Sequence, residues 1–437
     1  DYEWPLKKLV HSSDKALLWI SRILAIFLVV LQPVWCFSNE SRPNFVLMMV
    51  DDLGIGDIGC FGNHTIRTPN IDRLASEGVK LTQHLSAAPL CTPSRAAFMT
   101  GRYALRTGLG STGRVQVLLF LAGSGGLPPS EITFAKLLQK QGYTTGIVGK
   151  WHLGLSCEHR DDFCHHPNNH GFDFFYGIPF TLFSACQAGG DSGILMDLQD
   201  LLQIILAGLL GLILLGTLFP GAIKISKSLL TILGFAALLC FLVWFIPFRL
   251  IQTWNCILMR DQEVVEQPVN LETLNERIMR EAEGFVERNK GRPFLLFLSF
   301  AHVHTPLFKT ERFAGKSKHG SYGDNVEEVD WMVGRMVETI ERLGLKEKTL
   351  TYFTSDHGGH IEEGPNGGWN EVHRGGKAMG GYEGGIRVPG IISWPGHLEA
   401  GKEVAEVTSL MDVFPTLVKL AGGELPQDRH NHKHLPS

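Results

Sequence analysis

The sequence predicts an α/β protein with a mostly parallel central sheet and an inserted helical hairpin. Residues 44–50 form a short apolar run, and residues 350–354 form a second one about three hundred residues later. Strands buried on both faces of a parallel sheet have this near-continuous apolar composition. Between them, two much longer apolar runs predict the hairpin. The order of these segments places the hairpin inside the domain that contains the sheet.

Each of the two predicted strands ends in residues that can bind a cation. Asp51 and Asp52 follow the first strand, and Asp356 and His357 follow the second. Parallel strands bring distant segments side by side, and open α/β sheets place ligands at the carboxyl ends of strands, so we expect these side chains to meet. Oxygen ligands in this number suit Ca²⁺ or Mg²⁺ better than zinc. Taken alone, each acidic pair is more commonly a loop or a helix cap.

The segment Cys-Thr-Pro-Ser-Arg, from Cys91 to Arg95, is the most specific motif of the chain. No second cysteine or histidine completes a disulfide or zinc spacing around it. A buried cysteine before an ordinary Pro-Ser turn and a helix N-cap is the alternative interpretation. The motif therefore indicates a special use of this cysteine only in the right structural context.

Three further blocks carry basic residues. An apolar run and a glycine-rich turn lead to Lys150 and His152, a second apolar run leads to His302 and His304, and a Gly-Gly-Lys block holds Lys377. We expect both histidines of the second run on one face, because strand side chains alternate. A lone histidine or lysine in such a place is usually a satisfied surface or core residue. The two acidic strand ends and these three blocks, however, make five segments in an order that is not accidental.

Together these blocks resemble the type I sulfatases, and in particular their membrane-bound branch, which contains sterylsulfatase and arylsulfatases D, E, F and H. The resemblance covers Asn44 to Arg429. It implies an alkaline phosphatase-like sandwich and a sulfuric ester hydrolase acting on an aromatic or steroid-type lipophilic sulfate ester. It also implies that Cys91 is oxidised to formylglycine (3-oxoalanine), whose hydrate offers one hydroxyl to attack sulfur and another to expel sulfate.

The resemblance assigns a divalent cation, Ca²⁺ with Mg²⁺ as the alternative, to one set of ligands. These are Asp51, Asp52, the oxidised Cys91, Asp356 and His357. Many sulfatases have Asn or Gln where this chain has His357, which weakens the preference for Ca²⁺.

The resemblance also assigns the catalytic side chains. Arg95, Lys150 and Lys377 would neutralise the sulfate oxygens. His152 would act as the base that completes the cycle. His304, with Lys377, would protonate the leaving alcohol or phenol, and it is preferred to His302 because it immediately precedes Thr305-Pro306, as in the family.

The inserted hairpin is predicted to span a membrane. Residues 201–219 and 229–246 are each long and apolar enough to cross a bilayer as a helix. Lys224 and Lys227 favour a cytoplasmic turn, which puts both ends of the hairpin and the enzyme on the lumenal side. A pair of buried core helices is the alternative, but runs this apolar leave no polar face.

The N-terminal segment predicts entry into the secretory pathway. Lysines precede an apolar stretch at residues 23–31, and small residues near position 38 suit a signal peptidase. An uncleaved third membrane helix is the alternative. Asn39 and Asn63 begin glycosylation acceptor sequences, which are used only in this pathway. We expect an endoplasmic reticulum or Golgi membrane glycoprotein with two spanning helices.

The cysteines predict two disulfides in that oxidising compartment. Cys157 and Cys164 close a small loop, and Cys186 and Cys256 bracket the hairpin at its lumenal base. The polar, histidine-rich segment 161–170 could hold a metal, but no cysteine cluster completes a site there. A solvated loop is the preferred interpretation.

Charge and composition narrow the partners. The formal net charge is −4 and no basic cluster occurs, which argues against nucleic acid. The expected partners are a small-molecule sulfate ester, the formylglycine-generating enzyme and the lipid bilayer. A phosphatase or phosphodiesterase of the same fold usually carries Ser or Thr as nucleophile, so Cys91 argues against those activities.

The expected division of the chain follows from these segments. We expect a signal peptide at 1–38, the catalytic domain in two parts at 39–192 and 251–429, the hairpin at 193–250, and a divergent tail at 430–437. The resemblance implies a smaller C-terminal subdomain after this point, so we expect that subdomain to be truncated. A catalytically silent membrane glycoprotein of the same fold is therefore the alternative to an active enzyme.

Overall fold

A computed structural model describes residues 42–110, 125–159, 161–182, 186, 196–219, 225–246 and 256–427. The strands are β1 (Asn44–Val50), β2 (Val79–Leu81), β3 (His84–Leu85), β4 (Thr144–Gly149), β5 (Phe174–Gly177), β6 (Leu258–Arg260), β7 (Glu263–Glu266), β8 (Phe294–Ser299), β9 (Thr349–Ser355), β10 (Gly390–Ser393), β11 (Lys402–Val404) and β12 (Thr408–Ser409). The α-helices are α1 (Pro69–Ser76), α2 (Cys91–Thr100), α3 (Phe134–Lys140), α4 (Met196–Leu218), α5 (Lys227–Phe245), α6 (Leu274–Asn289), α7 (Gly320–Arg342), α8 (Glu383–Ile386) and α9 (Val413–Leu420). The predicted signal peptide, the acceptor Asn39, the turn residue Lys224 and the divergent tail lie outside the described residues.

Ten of these strands form one sheet in the order β11-β2-β10-β9-β1-β8-β4-β5-β6-β7. The five central strands, from β9 to β5, are all parallel, and antiparallel pairs occur toward the two edges. The prediction of a mostly parallel sheet is therefore confirmed. Because parallel strands end at the same edge, the segments that follow β1, β4, β8 and β9 converge there.

Both faces of the central sheet are covered, which explains the near-continuous apolar strands. Along β1, Val46 and Met48 pack into a core with α1, α6 and α7. Phe45 and Leu47 pack into a second core with α2, α3 and α9. Alternate side chains thus enter opposite layers. Burying one such side chain stabilises the fold by about 1.5–3 kcal/mol relative to exposing it, so each layer holds the strand ends firmly.

The predicted hairpin is present as α4 and α5. Their segments Leu201–Leu218 and Lys227–Phe245 have mean hydropathies of 2.5 and 2.4, so by length and composition both can cross a membrane. The helices pack on each other where Cys240 approaches the carbonyl of Leu202, with Sγ 3.4 Å from the oxygen. Large apolar side chains such as Phe235 remain exposed, which is not how buried core helices pack.

Both predicted disulfides are present. Cys157 bonds to Cys164, and Cys186 bonds to Cys256 across a separation of 70 residues that contains the hairpin. His165 Nε2 lies 3.2 Å from Cys157 Sγ, but the sulfur is already bonded to its partner cysteine. These three residues therefore do not present a pair of thiolates to a metal.

The prediction of a solvated histidine-rich loop at residues 161–170 is wrong for its histidines. His166 and His170 are fully buried, and a helical turn over Pro167–His170 packs the second one against the Trp151 ring at 5.7 Å. Burial lowers the pKa of His170 to about 3, so its ring is neutral. The polar composition of this segment misled the prediction because neutral imidazoles can fill a core.

Candidate active site at the carboxyl edge of the sheet

The two acidic strand ends meet as predicted. Val50 pairs with Ser355 in the parallel register of β1 and β9, which places Asp51 beside Asp356. The backbone N–H of Asp52 donates to Oδ1 of Asp356 over 3.3 Å. Asp52 has φ 62°, a left-handed conformation that costs a non-glycine residue on the order of 1–3 kcal/mol. The surrounding contacts hold that conformation and turn the second carboxylate into the site.

Cys91 enters the same space from the first residue of α2, where it is 2% exposed. The Ser94 hydroxyl donates to the Asp356 carbonyl, and Arg95 Nε donates to its carboxylate over 2.9 Å. Ser94 and Arg95 therefore hold α2 to the segment that follows β9. Leu90 caps the helix without a side-chain hydrogen bond, so an ordinary polar N-cap does not account for the motif.

The ligand atoms of the predicted cation site are gathered in one place. One ligand atom from each of Asp51, Cys91, Asp356 and His357 lies within 4.8 Å of the others. Asp52 joins them, with Oδ1 3.2 Å from His357 Nε2. All five side chains are buried, so any charge among them needs a compensating partner.

Unsatisfied atoms in this cluster fit a bound cation. Asp51 Oδ1, Asp52 Oδ1 and His357 Nε2 are buried without a hydrogen-bond partner among the described residues. His357 Nδ1 lies 2.9 Å from the Gly358 carbonyl, which fixes the N–H on that nitrogen. Metal-ligating histidines commonly donate their second ring nitrogen in this way. The free Nε2 and the two carboxylate oxygens are then available to one metal ion.

Three basic side chains surround the cluster. Lys150 Nζ donates to Asp51, and Lys377 Nζ lies 2.7 Å from Oδ2 of Asp52. Arg95 Nη2 lies 3.6 Å from Asp51 Oδ1. The positive groups thus face the acidic ones across a space in which an anion could contact both a cation and two ammonium groups.

Burial and charge shift the ionisation of these groups in opposite directions. Burial raises the pKa of Asp51, but Lys150 and the other positive groups around it together outweigh burial and leave that pKa well below the usual range. Burial dominates at Asp356 and raises its pKa to about 7. Burial also raises the pKa of Cys91, yet the two nearby lysine ammonium groups and a hydrogen bond from His357 together bring it down to about 6. The site therefore favours an anionic group at position 91.

The two histidines after β8 lie on different sides, which corrects the prediction that they share a face. The strand ends at Ser299, so side-chain alternation does not extend to them. His302 turns toward α6 and α7, with Nε2 2.8 Å from Asn275 Nδ2. His304 lies in the site: burial and the charge of Lys377 lower its pKa to about 4.

His152 follows β4 and is fully buried with φ 58°. Its carbonyl accepts the Thr92 hydroxyl over 3.2 Å, which ties it to the residue next to Cys91. All predicted catalytic residues therefore approach the same edge of the sheet. His152 and Asp52 are the two of these site residues that have a left-handed backbone conformation.

Sequence reasoning missed the residues that hold the loops around the site. Asp57 accepts the Gly54 N–H over 2.8 Å, the Trp369 N–H over 3.0 Å and the Tyr322 hydroxyl over 2.6 Å. It thus joins the loop after Asp52 to the loop before Lys377. Asp57 ends the glycine-rich run that follows Asp51 and Asp52, which is only a weak sequence signal for this role.

Asn370 was also missed, and nothing in its neighbouring sequence identifies it. Its side-chain amide accepts from the Gly359 N–H over 2.8 Å and donates to the Gly375 carbonyl over 3.0 Å. The Lys377 N–H donates to the Gly359 carbonyl over 3.1 Å. Asn370 therefore sets the backbone that presents Lys377.

Comparison with known proteins gives one consistent family. The sulfatase family model matches residues 43–423. Arylsulfatase D of Homo sapiens is 54% identical over 400 residues, covering 90% of this chain and 67% of that protein. Steryl-sulfatase of Rattus norvegicus is 53% identical over 422 residues, covering 93% and 72%. The crystal structure of PsFucS1 sulfatase from Pseudoalteromonas sp. has a TM-score of 0.65 at 29% identity, covering 88% of this chain and 69% of that one.

Proposed function

This chain belongs to the sulfatase family and is a sulfate ester hydrolase with the alkaline phosphatase-like fold; from that premise we propose a formylglycine- and cation-dependent arylsulfatase acting on an aromatic or steroid-type lipophilic sulfate ester. The observation that carries the proposal is the position of Cys91. It is buried at the start of α2, among three aspartates and three basic side chains. A buried thiol in that charged setting suits a reactive group better than a packing role.

Ca²⁺, with Mg²⁺ as the alternative, is proposed for the acidic cluster. Asp51, Asp52, Asp356 and His357 would hold it together with the modified residue 91. When bound, the ion would supply positive charge opposite the sulfate oxygens. The three carboxylates favour a hard cation, and the one imidazole is the least typical ligand for calcium.

The modified residue 91 would supply one hydroxyl for attack on sulfur and a second for release of sulfate. The chain's own residues prepare the site for that chemistry. Lys150, Lys377 and Arg95 bind the sulfate oxygens and stabilise charge that develops there. His152, held through its carbonyl by Thr92, takes the proton from the remaining hydroxyl. His304 gives a proton to the leaving oxygen.

We propose that α4 and α5 span the membrane of the endoplasmic reticulum or Golgi, with the catalytic domain in the lumen. Phe241, Trp244 and Phe245 cluster near the end of α5, with ring centroids 5.3 Å apart for the two phenylalanines. Aromatic clusters of this kind favour the interface between lipid and water. The two disulfides support an oxidising compartment, where the formylglycine-generating enzyme would meet the chain.

The membrane location supports the lipophilic substrate class. An apolar hairpin inserted into the catalytic domain keeps the enzyme at a bilayer, where aromatic and steroid sulfates partition. The division into two catalytic segments around residues 193–250 follows from the same insertion.

The proposal is tested by mass analysis of the tryptic peptide from Leu81 to Arg95, which contains position 91. In protein from cells that contain the formylglycine-generating enzyme, we expect an aldehyde in place of the thiol. The same preparation should hydrolyse an aryl sulfate. An unmodified Cys91 in such material would contradict the proposed mechanism.

A further inference from the structure

Glu328 on α7 and His302 form a buried pair behind the site. His302 Nε2 lies 3.3 Å from Oε2 of Glu328, and both side chains are completely buried. Burial raises the pKa of Glu328, but hydrogen bonds from His302 and Asn275 bring it below its ordinary value. A carboxylate and its partner are costly to bury, and an apolar pair of similar volume often gives equal stability.

The backbone of His302 is bonded directly to the first cation ligand. The Asp51 N–H donates to the His302 carbonyl over 2.7 Å, and the Val303 N–H donates to the Asp51 carbonyl over 2.6 Å. These two bonds join the two chain segments just past the carboxyl ends of β1 and β8. The position of Asp51 therefore depends on the position of His302.

The same pair fixes the segment that carries His304. The Glu328 carboxylate accepts the Thr310 N–H over 3.2 Å, and the His302 ring packs on Phe308 with centroids 4.3 Å apart. In the chain, His304 lies between His302 and these two contacts at Phe308 and Thr310. Its own N–H donates to the Ala301 carbonyl over 3.3 Å, which adds one local bond.

We propose that Glu328 and His302 are positioning residues that hold Asp51 for the cation and His304 for the leaving group. The inference rests on the proposed function, because it assigns these two roles to Asp51 and His304. Neither positioning residue touches the substrate. The pair needs a hydrogen-bond acceptor at position 328, which the carboxylate supplies.

The test uses the full chain, purified in detergent from cells that contain the formylglycine-generating enzyme. Glu328→Leu removes the acceptor, Glu328→Gln keeps one oxygen, and His302→Gln removes the ring. Glu327→Gln is the matched control, because Glu327 is the neighbour of Glu328 on α7 but pairs with the largely exposed Arg67. Each protein is stripped with chelator and titrated with Ca²⁺ by calorimetry, and its kcat and KM are measured with an aryl sulfate.

We expect Glu328→Leu to weaken Ca²⁺ binding about 10- to 100-fold and to lower kcat by a similar factor, because loss of such supporting partners has effects of this size. KM should change less than about threefold. Glu328→Gln should retain most of both properties, and Glu327→Gln should match the parent. If Glu328→Leu does not fold, Glu328→Ala, which removes the acceptor with a smaller side chain, forms a cycle with His302→Gln and their double variant. The double variant should be no worse than the worse single one.

Two results would overturn the inference. One is a Glu328→Leu or His302→Gln protein that unfolds at lower temperature yet keeps the Ca²⁺ affinity and kcat of the parent. The other is a cycle whose effects on Ca²⁺ affinity simply add. An inactive parent protein that still binds Ca²⁺ would refute the proposed function, whereas the Ca²⁺ titrations would still test the positioning of Asp51.

Discussion

Lys377 and Asp52 form a buried ion pair, with Nζ of the lysine 2.7 Å from Oδ2 of the aspartate, although 325 residues separate them in the chain. The pair brings a positive group to the space beside Cys91 and compensates one buried carboxylate. Burial lowers the pKa of Lys377, but Asp52 and the other acidic groups nearby together outweigh burial and raise that pKa above its ordinary value. The ammonium is therefore charged over the whole working range of pH.

Replacing Lys377 should cost activity through that charge. We expect Lys377→Met to lower kcat/KM for an aryl sulfate about 10²- to 10³-fold, because it removes one donor to the developing charge. Lys377→Arg should recover part of the loss. Steady-state kinetics on both variants, with unfolding temperatures as the control, provide the check. Equal activity of Lys377→Met and the parent would place the sulfate elsewhere.

The substitution Cys91→Ser should abolish multiple turnover. A single hydroxyl can accept sulfate, but it lacks the second hydroxyl that expels it. We expect less than one product per enzyme and a sulfated variant protein in intact mass spectra. Membrane insertion, measured by carbonate extraction, should be unchanged. Sustained turnover by Cys91→Ser would rule out release by elimination.

The cation ligands are tested by Asp52→Asn and Asp356→Asn, which remove negative charge with little change in volume. We expect bound divalent metal, measured by elemental analysis, and aryl sulfatase activity to fall together by about 100-fold or more. Glu399→Gln, at an exposed position, is the control. Activity that survives both substitutions and exhaustive chelation would mean that these carboxylates only hold loops.

The role of His304 predicts a dependence on the leaving group. His304→Gln should lower kcat about 10²- to 10⁴-fold for an alkyl or steroid sulfate, whose alcohol needs a proton to depart. The loss should be much smaller for a nitrophenyl sulfate, whose phenolate leaves without help. His302→Gln should lower activity on both substrates because it also displaces Asp51, and the loss should be larger for the alkyl or steroid sulfate. A uniform loss in His304→Gln would argue against its role as the acid.

Stability below neutral pH should depend on His84, which lies away from the active site. Its Nε2 and Nδ1 lie 2.6 Å from the Tyr352 hydroxyl and 2.8 Å from the Thr408 hydroxyl, and burial lowers its pKa from 6.5 to about 3. The pKa of His84 is lower in the folded protein than in the unfolded chain. Its contribution to folding stability is therefore fully present above pH 6.5. It is lost as pH falls from 6.5 toward 3, at up to about 1.4 kcal/mol per pH unit.

The measurement is the unfolding temperature of the detergent-solubilised protein from pH 7 to 5. The parent should lose more stability over this range than His84→Gln does. His159→Gln, at an exposed position, should behave like the parent. Parallel pH profiles for the parent and His84→Gln would show that the ring does not carry this dependence.

The sequence alone was enough to predict the sheet, the hairpin, the disulfides and the residues at the strand ends. The strands, the hairpin and the site residues are each encoded in a short segment: an apolar run followed by Asp51, a pentapeptide beginning at Cys91, or a run long enough to cross a bilayer. Parallel strands end at a common edge, so the convergence of Asp51 and Asp356 also followed from their patterns.

Only the tertiary structure decided how these residues are held. The opposite orientations of His302 and His304 depend on Asn275 and Glu328, which lie on other elements, and alternation along β8 had already ended at Ser299. The bond from Tyr322 to Asp57 joins residues 265 positions apart. Local patterns reflect local backbone geometry and burial, whereas the partner of a buried polar group is set by which distant segments pack beside it.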